Sequence, residues 1–440
     1  MLFKQQFSCV SCDFPVRSRR THVVNLMAEN PISLCLPPRV LCADGARSRI
    51  SPFCRHQGWR RALVVTDPWF TQHSPALREV LVGLRAEGIS TTVFDGGEPD
   101  PSTTLVDAAT AWVRDQGEAL PDHLIAWGGG SNIDLAKALS VTLSCGRPVA
   151  ELVGHADWPS RPLPLVAVPT TAGAGSEITP GAILVLPNSA TKVALMANAL
   201  RPVLAVIDPE LTWSCPPRVT ADAGLDALTH AIESWLTCDA AAFDIGDEPD
   251  PSYSGRNELT VMFARNATAL ILRHLVTACD HGQDRVARNG MARGSLYAAM
   301  SYATAGLNAV HGLAYALSGL THASHGSANA VLLPYVMDAL VEVRREELAD
   351  VARLAGAVAT DAAALARQAP VLIRRLVGRL GVCTDMRSLG VTEDQLPRII
   401  ADGLAVKRLT KAWPGAPAAA AYERIVRAAY IGTLSDEERL

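Results

Sequence analysis

In the first half of the chain, short apolar runs alternate with longer stretches that carry apolar residues at helical spacing. Apolar runs closed by turn residues predict the buried strands of a parallel sheet. Five such runs cover residues 61–68, 90–96, 123–127, 163–168 and 203–207. The stretches 75–87 and 104–116 between the first three runs predict helices. Strands and helices alternating at this pace indicate an α/β layer with a parallel sheet.

After Pro216-Pro217 the pattern changes, and from residue 219 onward apolar residues recur almost only at i, i+3 and i+4. This spacing is typical of helices. It predicts a domain boundary near residue 212, with an α/β domain over 33–212 and an all-helical domain over 213–440. The stretch 238–256 interrupts the helical pattern with several Asp and Glu residues and two acid-Pro breaks. We interpret it as an acidic surface loop, and the alternative is a second metal site.

Composition narrows the class of protein. The chain has 440 residues, 49% of them hydrophobic, with a formal net charge of -4. The near-neutral balance gives no electrostatic footprint for nucleic acid or an anionic membrane. No apolar run approaches the roughly 18 to 20 residues that span a bilayer. Ten dispersed cysteines do not form a disulfide framework, so we expect a reducing, cytoplasmic setting.

Residues 1–32 form an N-terminal extension that we expect to lack regular order. The stretch is basic and nearly free of acidic residues, as transit peptides are, but it has no convincing amphipathic pattern and no secretory core. Cys9 and Cys12 form a single CxxC, and without a second one they do not predict a zinc site.

Gly128, Gly129, Gly130 and Ser131 join the third strand to the next helix. Glycines let a ligand approach the backbone, and a helix N-terminus offers free N–H groups, so such a turn can cradle a phosphate. The spacing departs from GxGxxG, and the alternative is a tight turn without a ligand. The loop 169–177, with its hydroxyls and glycines, either contacts a sugar or pyrophosphate or is an ordinary turn.

Four residues of the second half suggest a metal site. Asp226 and His230 are four residues apart, so on a helix both side chains project from one face. His311 and His325 can add two imidazoles from later helices, and each is followed by glycine in an apolar, small-residue region. One carboxylate and three imidazoles suit a divalent first-row metal. The alternative is a set of unrelated polar positions on amphipathic helices.

Together these motifs, in this order, resemble those of the iron-containing, group III alcohol dehydrogenase family over about residues 38–430. The resemblance implies an α/β dinucleotide-binding domain followed by an all-α metal-binding domain, the dehydroquinate synthase-like fold, with the active site between them. It implies that Asp226, His230, His311 and His325 bind Fe(II) or, alternatively, Zn(II). The residues that it implies for cofactor binding are Gly128, Gly129, Gly130, Ser131, Asp134, Thr170, Thr171 and Ser176.

Three further positions gain a role from the resemblance. Asp67 matches a position near the adenosine ribose, where a carboxylate accepts from a 2′-hydroxyl and repels a 2′-phosphate, which favours NAD(H) over NADP(H). Lys192 matches a lysine near the nicotinamide, and the alternative is an exposed surface lysine. Tyr315 stands where many members carry a histidine that helps to move a proton. A phenol with a pKa near 10 is a poorer base at neutral pH, so Tyr315 either relays a proton or only shapes the pocket.

The resemblance thus implies reversible hydride transfer between NAD(H) and a small alcohol or aldehyde, by a protein that forms a homodimer. The stretches 311–319 and 408–411 and the acidic insertion look more like the hydroxyacid-oxoacid transhydrogenase branch, and phosphonoacetaldehyde reductases also carry a tyrosine-type motif. Both groups act on substrates with an anionic tail. Arg293, Arg408 and Lys411 are the candidate cations for such a tail, and the alternative for each is a solvated surface position.

Three other functions compete with this one. A transhydrogenase would retain its nicotinamide and pass hydride from a hydroxyacid to an oxoacid. A metal-dependent eliminating synthase of the dehydroquinate synthase type shares the two-domain design, but the loops follow the dehydrogenases. A silent scaffold would be expected to have lost at least one of the four presumed ligands, and all four are present.

Overall fold

A six-stranded parallel sheet organises the first half of the chain. The computed structural model describes residues 31–117, 119–155, 157–187, 192–359, 361–415 and 418–435. In chain order the strands are β1 (Val40–Cys42), β2 (Arg61–Val65), β3 (Ser90–Phe94), β4 (His123–Gly128), β5 (Leu165–Pro169), β6 (Gly181–Val185), β7 (Lys192–Met196) and β8 (Leu204–Ile207). The sheet has the order β1-β8-β5-β4-β2-β3, and β6 pairs with β7 as a separate antiparallel hairpin.

Alternate residues of the central strands feed two hydrophobic cores. In β2, Leu63 and Val65 belong to the core on one face of the sheet, whereas Ala62 and Val64 belong to the core on the other face. This is the period-two pattern of a strand that is covered on both sides. The helices of this half are α1 (Ile50–His56), α2 (Pro68–His73), α3 (Pro75–Ala86), α4 (Thr103–Asp115) and α5 (Gly130–Cys145).

The five strands predicted from apolar runs are confirmed, and all five lie in the parallel sheet. The structure adds the three-residue edge strand β1 and the hairpin β6–β7, which the pattern did not predict. The hairpin depends on a long-range contact, because the buried Lys137 of α5 donates from Nζ to the backbone oxygens of Thr179 and Gly181 at 2.8 and 2.7 Å. Such a contact leaves no periodic signal in the sequence.

The second half is helical, as predicted. Its helices are α6 (Pro217–Leu236), α7 (Glu258–Asp280), α8 (Arg285–Ala305), α9 (Ala309–Thr321), α10 (His325–Ala339), α11 (Arg345–Leu354), α12 (Ala362–Arg379), α13 (Leu396–Ala405), α14 (Lys407–Thr410) and α15 (Ala418–Ile431). From Gly224 to Leu236, every residue of α6 is buried. Helix α6 therefore lies inside the largest core, with its polar side chains enclosed.

The boundary that we predict near residue 212 falls between the end of β8 and the start of α6. The division into two domains at this point stays a prediction. Residues 1–30 of the expected N-terminal extension, including Cys9 and Cys12, lie outside the described residues. Within the described ranges, no helix has both the length and the apolar character needed to cross a membrane.

Candidate active site

The four candidate metal ligands converge from three helices. Asp226 and His230 are one turn apart on α6, His311 is the third residue of α9, and His325 is the first residue of α10. The Asp226 Oδ1 atom lies 3.7, 3.9 and 3.8 Å from the Nε2 atoms of His230, His311 and His325. The Nε2 atoms of His230 and His311 are 3.0 Å apart. Ligand atoms about 2.1 Å from one tetrahedral ion would lie about 3.4 Å from each other. The ligand atoms of Asp226, His230 and His311 all lie within 4.8 Å of one another, so their spacing suits a shared cation, and His325 stands beside this group.

Burial keeps the imidazoles uncharged. It lowers the pKa of both His230 and His311 to about 4, although the Asp226 carboxylate acts in the opposite direction. At neutral pH their lone pairs are therefore available for a cation. The Nδ1 atom of His230 has no hydrogen-bond partner in the described part of the chain.

Glu233 fixes the orientation of His311. Its Oε2 atom lies 2.5 Å from Nδ1 of His311, and its Oε1 atom accepts the backbone N–H groups of Asn308 and Val310 at 2.8 and 2.9 Å. The carboxylate therefore binds both the N-terminus of α9 and the imidazole that this helix carries. A proton held on Nδ1 leaves Nε2 free to face the other ligands.

Asn329 contacts the same group of atoms. Its Nδ2 donates to Asp226 Oδ1 at 2.8 Å and lies 3.1 and 3.2 Å from Nε2 of His311 and His325. The sequence motifs did not point to Asn329 or to Glu233. Their spacing held a signal, since Glu233 follows Asp226 by seven residues and Asn329 follows His325 by four, which places each on the same helix face as a ligand.

Two tyrosines stack on the imidazoles. The ring of Tyr302 lies 4.2 Å from that of His230 at an interplanar angle of 15°, and its buried hydroxyl donates to the backbone oxygen of Ala174. The ring of Tyr315 lies 5.8 Å from that of His325, again at 15°. The hydroxyl of Tyr315 accepts from Nη2 of Arg408 at 3.2 Å. Tyr315 thus connects the candidate metal ligands to a cation.

A cavity of about 220 Å³ brings the candidate ligands and much of the predicted cofactor loop together. Its wall includes all four candidate ligands and, from the other predicted site residues, Gly130, Ser131, Asp134, Ser176, Lys192, Tyr315 and Arg408. Asp134 is buried, and its Oδ1 has no hydrogen-bond partner among the described residues. The Ser176 side chain lowers the pKa of this carboxyl, which burial raises, and both residues lie on the cavity wall.

The start of α5 shows why glycines occupy the turn after β4. Gly128 has a φ of 145°, and a Cβ there would meet the Asn132 side chain. A Cβ on Gly130 would lie 2.7 Å from Cβ of Ala174, in the loop that follows β5. No side chain caps this helix, whereas Asp67, Ser74 and Ser102 cap α2, α3 and α4. The first N–H groups of α5 are therefore open to an anion.

Asp67 and Lys192 flank this turn. The Asp67 carboxylate accepts from Trp69 N at 3.0 Å and from Asn132 Nδ2 at 2.8 Å, so it links the end of β2 to α5. Lys192 is not an exposed surface lysine, because its side chain is 9% exposed. It pairs with Asp100 at 2.8 Å and lies 5.9 Å from the centre of the Tyr315 ring.

The structure separates the remaining candidates. Thr170 borders a second cavity of about 320 Å³, whose wall includes Trp69, Trp127 and Trp213. Thr171 lies beside Gly129, with its Oγ1 3.6 Å from where a Cβ on that glycine would be. Of the three cations considered for a substrate tail, the exposed Arg293 lines another cavity, beside Cys42. Arg408 and Lys411 both line a cavity that adjoins the one with the candidate ligands.

Comparison with known proteins agrees with these observations. Residues 37–209 match the family model described as iron-containing alcohol dehydrogenase, and residues 252–430 match the model of that family's C-terminal region. The chain is 33% identical over 411 residues to long-chain-alcohol dehydrogenase 1 of Geobacillus thermodenitrificans, which covers 92% of this chain and 98% of the relative. It is 35% identical over 395 residues to 4-hydroxybutyrate dehydrogenase of Cupriavidus necator, covering 87% and 95% of the two chains. The crystal structure of a 1,3-propanediol oxidoreductase, 30% identical, superposes with a TM-score of 0.82 over 90% of this chain and 99% of that one.

Proposed function

The chain belongs to the iron-containing alcohol dehydrogenase family, and we propose that it transfers hydride between NAD(H) and a small alcohol or aldehyde with an anionic tail. One observation carries this proposal. The ligand atoms of Asp226, His230, His311 and His325 surround one point in a cavity whose wall also contains the start of α5. A metal and a nicotinamide could therefore act on the same substrate.

The residues fit a divalent metal. One carboxylate and two uncharged imidazoles meet with spacings that suit a common ion, and His325 adds a third imidazole 3.8 Å from the carboxylate. We propose Fe(II), with Zn(II) as the alternative. When bound, such a metal supplies a Lewis acid for a carbonyl or alcohol oxygen. Asp226 and His230 would hold it from α6, and His311 and His325 from the starts of α9 and α10.

The residues also fit a dinucleotide. The uncapped start of α5, with Gly128, Gly129, Gly130 and Ser131, would receive the pyrophosphate, and the unpartnered Oδ1 of Asp134 would accept a donor group. Asp67, whose carboxylate is held at the end of β2, would favour NAD(H) over NADP(H). We assign Thr170, Thr171 and Ser176 to the second cofactor loop. When bound, the nicotinamide supplies or accepts the hydride.

Tyr315 and Arg408 would contact the substrate. Because the Tyr315 hydroxyl accepts from Arg408, its own proton remains available to donate into the cavity, and we assign Tyr315 the proton relay. Lys192 lies over the same ring and would help to keep the phenol oriented.

An anionic tail is the part of the proposal that depends on Arg408. Lys192, the other cation on the cavity wall, is neutralised by Asp100. Arg408 forms no ion pair with a carboxylate among the described residues, so its charge is available to a ligand. The name of the Cupriavidus necator relative specifies a substrate with a terminal carboxylate. We further expect the protein to form a homodimer and to lie in the cytoplasm. Sedimentation would test the first prediction, and cell fractionation would test the second.

The first experiment follows NADH oxidation by the purified protein. Small neutral and anionic aldehydes would be assayed after chelation and again after Fe(II) or Zn(II) is added back. We expect activity to disappear on chelation and to return with metal. If the protein reduced no aldehyde with either metal, the proposed dehydrogenase activity would be contradicted. Transfer from a hydroxyacid to an oxoacid without added nicotinamide would then identify the transhydrogenase.

Substitution of Arg408 tests whether this residue binds an anionic tail of the substrate. A hydrogen bond to a charged group contributes about 1.5–3 kcal/mol, so Arg408→Ala should lower kcat/KM for an anionic aldehyde about 10- to 100-fold. The value for a neutral aldehyde of equal length should change much less. Lys407→Ala is the matched control, because Lys407 is the exposed neighbour on α14 and does not border the cavity. If Arg408→Ala lowered kcat/KM equally for neutral and anionic aldehydes, the substrate would not need an anionic tail.

A further inference from the structure

The acidic stretch after α6 is anchored to both halves of the chain. Its Asp250 accepts from Nδ2 of Asn198, which follows β7, at 2.6 Å. The backbone oxygen of Asp244 accepts from Nζ of Lys411 at 3.2 Å, and Ser254 N donates to the Thr304 oxygen at 2.9 Å. The predicted acidic surface loop therefore has a fixed inner side as well as an exposed acidic one.

Tyr253 lies on the inner side of this loop. Its ring packs against Gly306, where an added Cβ would lie 3.2 Å from the ring carbons. It also borders the apolar cluster that contains Tyr302 and Leu307 and to which Tyr315 adds its ring. The insertion thus contributes an aromatic wall to the active-site cleft.

Two cavities meet at Tyr253. The inner one, of about 220 Å³, contains the candidate metal ligands, and the outer one has about 440 Å³. Their walls share three residues, Met196, Tyr253 and Arg408. Ligand pockets commonly have about 300–1,000 Å³, and the inner cavity must also admit a nicotinamide ring. It therefore leaves room for a substrate of only a few heavy atoms.

The outer cavity has the composition to hold a longer acid. Val153, Val193 and Ala194 give it an apolar side, and Arg408 and Lys411 give it two cations. Glu248 is the one carboxylate residue on its described wall. A methylene chain with an anionic end matches this arrangement, since apolar area and unlike charges both favour binding.

We propose that Tyr253 and Met196 form a partition that sets the chain length of the substrate, and that the outer cavity becomes an extension subsite for longer ω-carboxylate aldehydes when this partition is opened. This inference rests on the proposed function. In the wild-type protein the partition holds the tail of a short acid beside Arg408. With the partition removed, a longer chain would reach Lys411.

The test compares 4-oxobutanoate, 6-oxohexanoate and 8-oxooctanoate with the metal-loaded protein and NADH. Tyr253→Ala should raise the ratio of kcat/KM for the eight-carbon acid to that for the four-carbon acid at least about tenfold. Tyr253→Phe keeps the ring and should keep the wild-type ratio. Met196→Ala opens the partition from β7 and should also raise the ratio of kcat/KM for the eight-carbon acid to that for the four-carbon acid. This second variant tests the proposal even if Tyr253→Ala does not fold.

Lys411 provides a second readout. Tyr253→Ala should also raise kcat/KM for octanal, which has the same chain length without the charge. In this background, Lys411→Ala should reverse most of the gain for 8-oxooctanoate and leave the gain for octanal unchanged. An unchanged length ratio in both Tyr253→Ala and Met196→Ala, with metal content and Tm near wild type, would overturn the partition alone. In that case wild-type turnover of 4-oxobutanoate would still support the proposed function. Failure of the wild-type protein to reduce any aldehyde would overturn both.

Discussion

At the scale of single residues, Glu233 shows how one carboxylate can bind both a helix N-terminus and a candidate metal ligand. It is fully buried, and burial raises its pKa to about 7 while the backbone N–H groups of α9 act in the opposite direction. Its two oxygens have different partners. Oε1 accepts backbone N–H groups at the start of α9, and Oε2 contacts the imidazole of His311. Loss of the second contact would free the ring without removing a ligand.

We therefore expect Glu233→Gln to weaken metal binding about 10- to 100-fold, as is usual when a partner of a metal-bound histidine is changed. The new amide can still accept from the backbone, but its nitrogen cannot accept the proton on Nδ1 of His311. The dissociation constants for Zn(II) and Co(II) would be measured by competition with a chelator.

Ser234→Ala is the control for this substitution. Ser234 is the next residue on α6, is equally buried, and bonds to Ser301 rather than to a candidate ligand. Its metal affinity should stay within about threefold of wild type, since its contacts affect stability alone. A Glu233→Gln protein that folds and binds metal like the wild type would show that Glu233 does not orient His311.

At the scale of elements, the start of α5 separates a packing role from a binding role within two adjacent glycines. A Cβ on Gly130 would collide with Ala174, whereas a Cβ on Gly129 would meet Thr171 only at ordinary contact distance, 3.6 Å. Gly130→Ala should therefore lower the free energy of unfolding by about 1–3 kcal/mol, because neither backbone can move freely. Gly129→Ala should leave it nearly unchanged.

Binding of NADH should respond differently. If the pyrophosphate lies against this turn, the methyl group of Gly129→Ala intrudes on it, and the Kd for NADH should rise about tenfold or more despite normal stability. Urea unfolding and fluorescence titration measure the two effects. Normal NADH affinity in Gly129→Ala would place the pyrophosphate elsewhere.

The same elements show what the sequence could predict. The strands β2, β4, β5 and β8 are short apolar runs covered on both faces, so the local pattern of apolar residues and turns identified them. The hairpin β6–β7 is stabilised by Lys137, a buried lysine in α5, and no local pattern reports such a contact. Predicted element ends differ from the structure by only a few residues.

At the scale of the whole molecule, the tertiary fold brings the residues of the candidate site together. The spacing of Asp226 and His230 placed them on one face of a helix, and the sequence suggested His311 and His325 as further ligands from later helices. Only the fold shows that the starts of α9 and α10 bring these two imidazoles to the Asp226 carboxylate. Nothing in the spacing indicated that the loop after α6 reaches the cleft and supplies Tyr253. Convergence of distant segments is a tertiary property, and one sequence shows it only through a known relative.

Enclosing uncharged imidazoles also makes the stability of the metal-free protein depend on pH. His230 has a pKa of about 4 in the folded state, against 6.5 for an ordinary histidine. Between these values the unfolded chain binds a proton that the folded chain does not, so stability decreases as pH falls from about 6.5 to about 4. One such group contributes at most about 1.4 kcal/mol per pH unit.

The contribution of His230 can be isolated by comparing the chelator-treated wild-type protein with His230→Asn. Both proteins share every other titrating group, including Glu233, whose raised pKa acts in the opposite direction. Urea unfolding at pH 7, 6 and 5 should show the wild type losing stability relative to the variant as the pH falls, because only the wild type has this imidazole to protonate on unfolding. Metal binding to the folded wild type should raise its stability at each pH without removing the decline, since the ion keeps the folded site deprotonated while the unfolded imidazole still takes up a proton. Parallel curves for the two metal-free proteins would mean that His230 has the same pKa in the folded and unfolded states, and burial would then not keep this imidazole uncharged below pH 6.5.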